Sequence, residues 1–365
     1  MTAQQPVQAY ASSQPEAAAA HGSQLIALLA AHRTPQQIDF LLRSVHVPAC
    51  TLRPAGAQAV SRLELAQALN MLLFEKLLQE VPDAAAYVAD AMAAGERMHF
   101  DHGALRTVQA ANTGLLPPGE EAITRILRPL GYVQNGLYPL ERIRMTGRTY
   151  GHADAPEEIA QFFVSELHAE RFSPEFQAVV ARVIGTSTDP LTADAKALLA
   201  QLEAERALPM AAAQALLPVL LSAFERQHEL PSVAEYERLR GESSEMAWIA
   251  TEGNVFNHAT DRVPDVEAVA ERQRALGRPM KETVEVSRNG RVRQTAYRAC
   301  TVLRPMRDEH GGIVEKAVPG SFYEFISRDR YVDDQGVERL DLSFDSGNAQ
   351  GIFKMTAGSD GPAGM

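Results

Sequence analysis

Cysteine is scarce in this chain, with two among 365 residues, Cys50 and Cys300. That excludes a disulfide framework and a thiolate zinc site, and two thiols suit a reducing, cytoplasmic setting. A bound metal would have to rest on imidazole and carboxylate. Positive charge is also short: 46 acidic residues face 35 basic ones, for a net charge of −11. Nucleic acid and anionic membranes require a dense basic patch. The locally basic stretches LRPMRDEHGG and RVRQTAYR are short and interrupted, which leaves room only for a basic pocket around a small acid. No apolar run reaches the length of about 18 residues that a membrane span needs. The N-terminus lacks the basic region of a signal peptide and the arginines of a transit peptide. Its Ala, Gln, Ser and Pro bias predicts a disordered tail over residues 1–22, and a flexible C-terminus is expected over 356–365.

What the chain does have is 45% hydrophobic residues against 22% charged ones, enough core for a single catalytic domain over residues 23–355. Leu25, Leu28 and Leu29, then Ile38, Leu41 and Leu42, recur at helical spacing, with Thr34-Pro35 as a start signal between them. SRLELAQALNMLLFEKLLQE reads as an amphipathic helix with Ser61 and Glu64 as a capping box. Residues 23–95 are thus expected to be N-terminal helices.

From Glu96 the pattern changes. RMHFDHGALRTV reads as a strand, PPGEEAITRILRPLGY as a helix and LYPLERIRMTGRTYGHA as further strand. A second helix is expected to start at DAPEEIAQFFVSELHAE. Residues 155–245 are rich in Ala, Leu and Glu and predict a helical insertion, in which His168 and His228 are read as structural or solvated. Strand formers return in EMAWIATEGNVFNHATDRV. A helix follows in VPDVEAVAERQRALGRPM, then a hairpin at Asn289-Gly290 and a last strand, GSFYEFISRDR. Strand, helix and three strands therefore occur twice, over 96–154 and 246–355. Paired βαβββ modules predict an α+β, vicinal-oxygen-chelate-like fold, a curved sheet around a metal pocket.

Alternation along the first strand places Met98, Phe100, His102, Ala104 and Arg106 on one face and His99 and Asp101 on the other. His102 and Arg106 would stand about 13 Å apart along the backbone. A cation there suits a substrate with a metal-binding end and a distal carboxylate. His99 with His102 is a weaker pair that a helix would bring together. In VFNHATDRV, His258 shares a face with Phe256, Thr260 and Arg262. In SFYEFISRD, Glu324 sits among Phe322 and Ile326, where an ionised carboxylate costs several kcal/mol unless a cation compensates it. A metal is one compensation and Arg298 is the other. Two imidazoles and a carboxylate, His102, His258 and Glu324, are the ligand set of non-haem Fe(II) oxygenases, with sites left for substrate and O2.

FDHGALRT, NHATDRV, RQTAYRA and SFYEFISRD together resemble the 2-oxoadipate dioxygenase/decarboxylase family, over roughly residues 23–355. The resemblance implies a vicinal-oxygen-chelate-type fold with a helical insertion. It implies Fe(II) on His102, His258 and Glu324, Arg106 on the substrate carboxylate, and Gln294 lining the pocket. The implied reaction is 2-oxoadipate plus O2 to 2-hydroxyglutarate plus CO2, as in lysine breakdown, with both oxygen atoms kept in the product. The partners expected are therefore a 2-oxo dicarboxylate and O2. The longer members continue past GNAQGIFKM with a segment that shapes the substrate end, so the exact 2-oxo acid stays open. Rival readings are an extradiol-type dioxygenase or metal isomerase/lyase on the same scaffold, a non-catalytic metal-binding module, and a purely structural Glu324–Arg298 pair.

Overall fold

The computed structural model describes residues 22–57, 59–345 and 347. The expected N-terminal tail, apart from residue 22, and the expected flexible C-terminus lie outside the described residues. The N-terminal segment forms helices α1 (Gln24–Leu29), α2 (Pro35–Ser44), α3 (Arg62–Glu80) and α4 (Pro82–Ala93). Thr34 with Gln37, and Ser61 with Glu64, close full capping boxes on α2 and α3. Each box satisfies backbone donors that the first turn would otherwise leave open.

The sheet is built from two copies of one plan. The first module is β1 (Phe100–Gln109), α5 (Glu121–Leu127), β2 (Tyr132–Leu140), β3 (Met145–His152) and β4 (Gln161–His168). Here the structure corrects the sequence reading: residues 161–168, expected in a helix opening the insertion, form the module's fourth strand. The reason is local. QFFVSEL is buried on both faces, so its apolar run carries no period of two, and a doubly covered strand cannot be told from a helix by pattern alone. The first module therefore reaches His168 rather than ending at 154.

Helices α6 (Pro174–Ile184), α7 (Ala193–Glu205), α8 (Met210–Ser222), α9 (Val233–Arg240) and α10 (Ser244–Glu252) follow. Helix α10 takes in SEMAWIATE, which had read as strand and turn; Ser243 caps it by accepting from the Met246 N–H.

The second module is β5 (Phe256–Arg262), α11 (Val266–Ala275), β6 (Glu285–Val286), β7 (Val292–Ala296), a hairpin β8 (Thr301–Arg307) and β9 (Ile313–Pro319), and β10 (Phe322–Arg328). The hairpin forms its own two-stranded sheet and its second arm escaped the sequence reading; it is inserted between the module's third and fourth strands. The eight-stranded sheet runs β2-β3-β4-β1-β5-β10-β7-β6. Each half repeats the order first, fourth, third, second outward from the centre. β1 and β5 meet antiparallel in the middle, flanked by parallel partners β4 and β10.

The back of the sheet is covered by the N-terminal helices through Phe74, Phe100, Phe256 and Tyr323. The front curls around the first residues of the central strands. No helix among the described residues is long and apolar enough to cross a membrane.

Candidate metal centre

Three central strands, β1, β5 and β10, bring His102, His258 and Glu324 together, buried, with their nearest ligand atoms all within 4.8 Å of one another. The register explains the convergence. His102 is opposite Thr260 across the β1–β5 pair, and Thr260 is opposite Glu324 across β5–β10. The Nε2 atoms of His102 and His258 lie 3.3 and 3.4 Å from Oε2 of Glu324.

Strict alternation misplaces two residues. Register shifts interrupt the β1–β5 ladder between Phe100 and His102 and between Ala104 and Leu105. Phe100 therefore packs on the back with Phe74, not beside His102. Phe256 likewise points to the back, while Asn257 and His258 both line the front cavity. A bulge of this kind re-aims a side chain without ending the strand. Gly103 stays in register between the histidine and Ala104, and a Cβ there would fall 2.3 Å from the Phe256 ring. Its role is this close approach to the ring.

Each donor has a partner behind it. Asp101 Oδ1 sits 2.8 Å from Nδ1 of His102, and Arg328 grips Asp101 through Nε and Nη2 at 2.9 Å each. This holds the proton on Nδ1 and turns Nε2 inward. Asn257 Nδ2 lies 2.9 Å from Nδ1 of His258; with Nε2 as a metal donor the amide presents its oxygen there instead. The Thr260 hydroxyl donates to Glu324 Oε2 at 2.7 Å. Glu324 Oε1 is buried with no hydrogen-bond partner among the described residues. A carboxylate oxygen left in that state is costly unless a cation meets it, so the donor set fits a divalent metal.

The electrostatics agree. Burial alone would raise the Glu324 carboxyl, but its contacts with His102 and the Thr260 hydroxyl outweigh it and hold the group below its ordinary value. Burial would lower His102, yet the Asp101 and Glu324 carboxylates raise it. Burial drives His258 down to about 3 against the pull of Glu324, with His102 and Arg106 adding to the fall. Its ring is therefore neutral and has a lone pair to give at neutral pH.

The two-fold plan also shows what is absent. Thr260 pairs with Glu324 as Ala104 pairs with Phe163 across the parallel β1–β4 edge. Phe163 thus occupies the counterpart of Glu324, and an aromatic ring stands where a fourth donor could be. The cluster is three-sided and faces a cavity lined by Phe163, Ser165, Gln294 and Phe344 among others.

Arg106 is fully buried, with its guanidinium carbon 4.7 Å from the centroid of the Trp248 ring. Burial lowers its pKa to about 10 against the pull of Glu245, so it stays a cation at neutral pH. It is not itself among the cavity-lining side chains; Ser165, its neighbour in register, is. Gln294 lines the cavity as expected, beside Glu285 in register. Arg298 does not compensate Glu324, since it is exposed and lies 3.6 Å from Glu282. His99 is on the back, stacked on His46 and in contact with Arg262, and so takes no part in the cluster. Asp101, Asn257, Arg328 and Phe344 were not singled out from sequence. Asp101 beside His102 carried a signal, because a carboxylate on the opposite strand face needs a cation there, and Arg328 provides it.

The fold is of the vicinal-oxygen-chelate class, and its three-sided cluster is a candidate metal site. The family model of 2-oxoadipate dioxygenase/decarboxylase matches residues 66–354, and the chain belongs to that family. A glyoxalase-superfamily protein from Ralstonia eutropha JMP134 is 55% identical, with a TM-score of 0.84 over 88% of this chain and 98% of that one. The hydroxyglutarate synthase of Oryza sativa, solved with 2-oxoadipate, shares the fold at 18% identity, with a TM-score of 0.61 over 87% of this chain and 96% of that one. The hydroxyglutarate synthase of Pseudomonas putida, also solved with 2-oxoadipate, does so at 21%, with a TM-score of 0.58 over 77% and 67%. No curated protein matches the chain.

Proposed function

We propose that this protein is an Fe(II)-dependent dioxygenase/decarboxylase that converts 2-oxoadipate and O2 to 2-hydroxyglutarate and CO2, a step of lysine breakdown. The observation that carries the reading is the three-sided cluster: two imidazoles and one carboxylate converge while Phe163 holds the fourth quasi-equivalent position. That leaves room on the cavity side for a chelating 2-oxo acid and for O2. The family membership and the 2-oxoadipate complexes of its structural relatives support the substrate class. The free state of both cysteines supports a reducing, cytoplasmic setting.

Iron bound to His102, His258 and Glu324 would supply redox and Lewis-acid chemistry toward the 2-oxo acid and O2. The protein's residues supply the geometry. Asp101 and Thr260 fix the ring of His102 and the carboxylate of Glu324. Arg106 gives the first module's front face its buried positive charge, which selects a substrate with a second carboxylate. Gln294 offers an amide to the bound acid, and Phe163 and Phe344 keep water from the reacting end.

Metal-stripped protein should consume no O2 with 2-oxoadipate and should regain consumption with Fe(II). Arg106→Ala should raise KM for 2-oxoadipate several-fold through loss of the buried positive charge behind Ser165, with iron content unchanged. Loss of iron in that variant would assign Arg106 to the metal site instead. Turnover without O2 uptake would favour an isomerase or lyase, and bound metal with no turnover a binding module.

A further inference from the structure

The segment after β10 returns across the front of the sheet, and one buried side chain ties it to the metal site. Arg328 ends β10 with its side chain wholly enclosed. Two of its nitrogens hold Asp101, the residue bonded to Nδ1 of His102. Its Nη1 donates to the carbonyl oxygens of Asp341 and Ser343 at 2.9 and 2.8 Å. Its guanidinium carbon lies 4.8 Å from the centroid of the Phe344 ring. That ring closes the circuit: it meets His102 edge-on, with centroids 4.8 Å apart, and also Phe163 at 5.2 Å.

We propose that Arg328 is a positioning residue that makes the 341–345 strap and the His102 ligand one mechanical unit. The planar fork of Arg328 has donors on both sides at once, so it satisfies Asp101 and the strap carbonyls only in one orientation. Anything that turns the guanidinium to follow Asp101 pulls its Nη1 away from the strap. The strap in turn holds Phe344 over the metal face. Closure of the cavity and presentation of Nε2 are therefore coupled. Metal retention and strap order should rise and fall together.

The inference rests on His102 acting as a metal ligand, and its test separates the two. Co(II) affinity is measured by titration, and strap order by amide hydrogen exchange over residues 338–345. Both are followed in wild-type protein, Asp101→Asn and Arg328→Lys. Exchange in α7, remote from the site, checks that each variant is folded. Both substitutions should weaken Co(II) by about 10–100-fold, as loss of a ligand's outer partner does. Both should also speed strap exchange by about tenfold, the lower end for loss of a hydrogen bond to a charged group. Asp101→Asn is the sharper case. If it weakens Co(II) while strap exchange is unchanged, the coupling is wrong. The coupling is equally overturned if Arg328→Lys frees the strap with Co(II) affinity intact. Should the variants fail to fold, wild-type protein still decides: Co(II) must slow strap exchange, and equal exchange with and without metal overturns the proposal. Wild-type protein that binds no Co(II) sinks the ligand assignment instead, and strap exchange in Asp101→Asn then still tests the mechanical link.

Discussion

Glu324 is an acid on an apolar strand face, with Phe322 and Ile326 as its same-side neighbours. Such a mismatch is readable in a sequence because desolvating a carboxylate is expensive and some cation must answer for it. The structure removes Arg298 from contention and leaves two imidazoles with a carboxylate oxygen that no hydrogen bond among the described residues satisfies. Replacing it tests the point at this scale. Glu324→Gln keeps the shape and removes the charge; metal content after reconstitution should fall to background. Full metal content in Glu324→Gln would show that the carboxylate is not a ligand. The supporting residues were harder to read. Asp101 and Asn257 adjoin the histidines in sequence, but bulges in the β1–β5 ladder decide where they point. A one-residue irregularity moves every later side chain to the other face, and no composition signal marks it.

At the scale of elements, α3 and α11 were legible from their caps and periodicity, and the hairpin at Asn289-Gly290 from its turn residues. β4 and α10 were not, since both are buried nearly throughout and burial on every side erases the period. Missing β4 hid the counterpart of Glu324, because the equivalence of Phe163 is visible only from paired registers. It yields a sharp expectation. Phe163→His should add a fourth donor: the variant should hold Zn(II) or Co(II) more tightly than wild type and lose most of its O2-dependent turnover. Unchanged affinity would mean that the two modules are not equivalent at this position. Under α10, His228 is buried with Nε2 3.0 Å from the Ala250 carbonyl oxygen, and burial lowers its pKa to about 4. Between about pH 6.5 and that value the unfolded chain takes up a proton that the folded ring refuses, so stability contributed here is lost as pH falls through the window. His228→Gln should therefore flatten the decline of the urea midpoint between pH 6.5 and 4. Parallel curves for variant and wild type would contradict this assignment.

For the whole molecule, the duplicated strand–helix–strand order was enough to predict a paired βαβββ sheet, and the order of strands in the two halves bears that out. The interruptions obscured the rest. A helical segment separates the modules and a hairpin splits the second, so ligands that meet in space are 156 and 66 residues apart in sequence. The architecture puts both first strands at the centre of the sheet and the fourth strand of the second module beside them, which is why three distant residues form one site.

The central claim is that this site inserts both atoms of O2 into a 2-oxo dicarboxylate that loses CO2. Mass spectrometry of the product formed by Fe(II)-loaded protein from 2-oxoadipate under ¹⁸O₂ tests it directly. The account predicts 2-hydroxyglutarate carrying two ¹⁸O atoms, one in the new carboxylate and one in the hydroxyl. A product that keeps all six carbons, or a five-carbon hydroxy acid without the label, would contradict it.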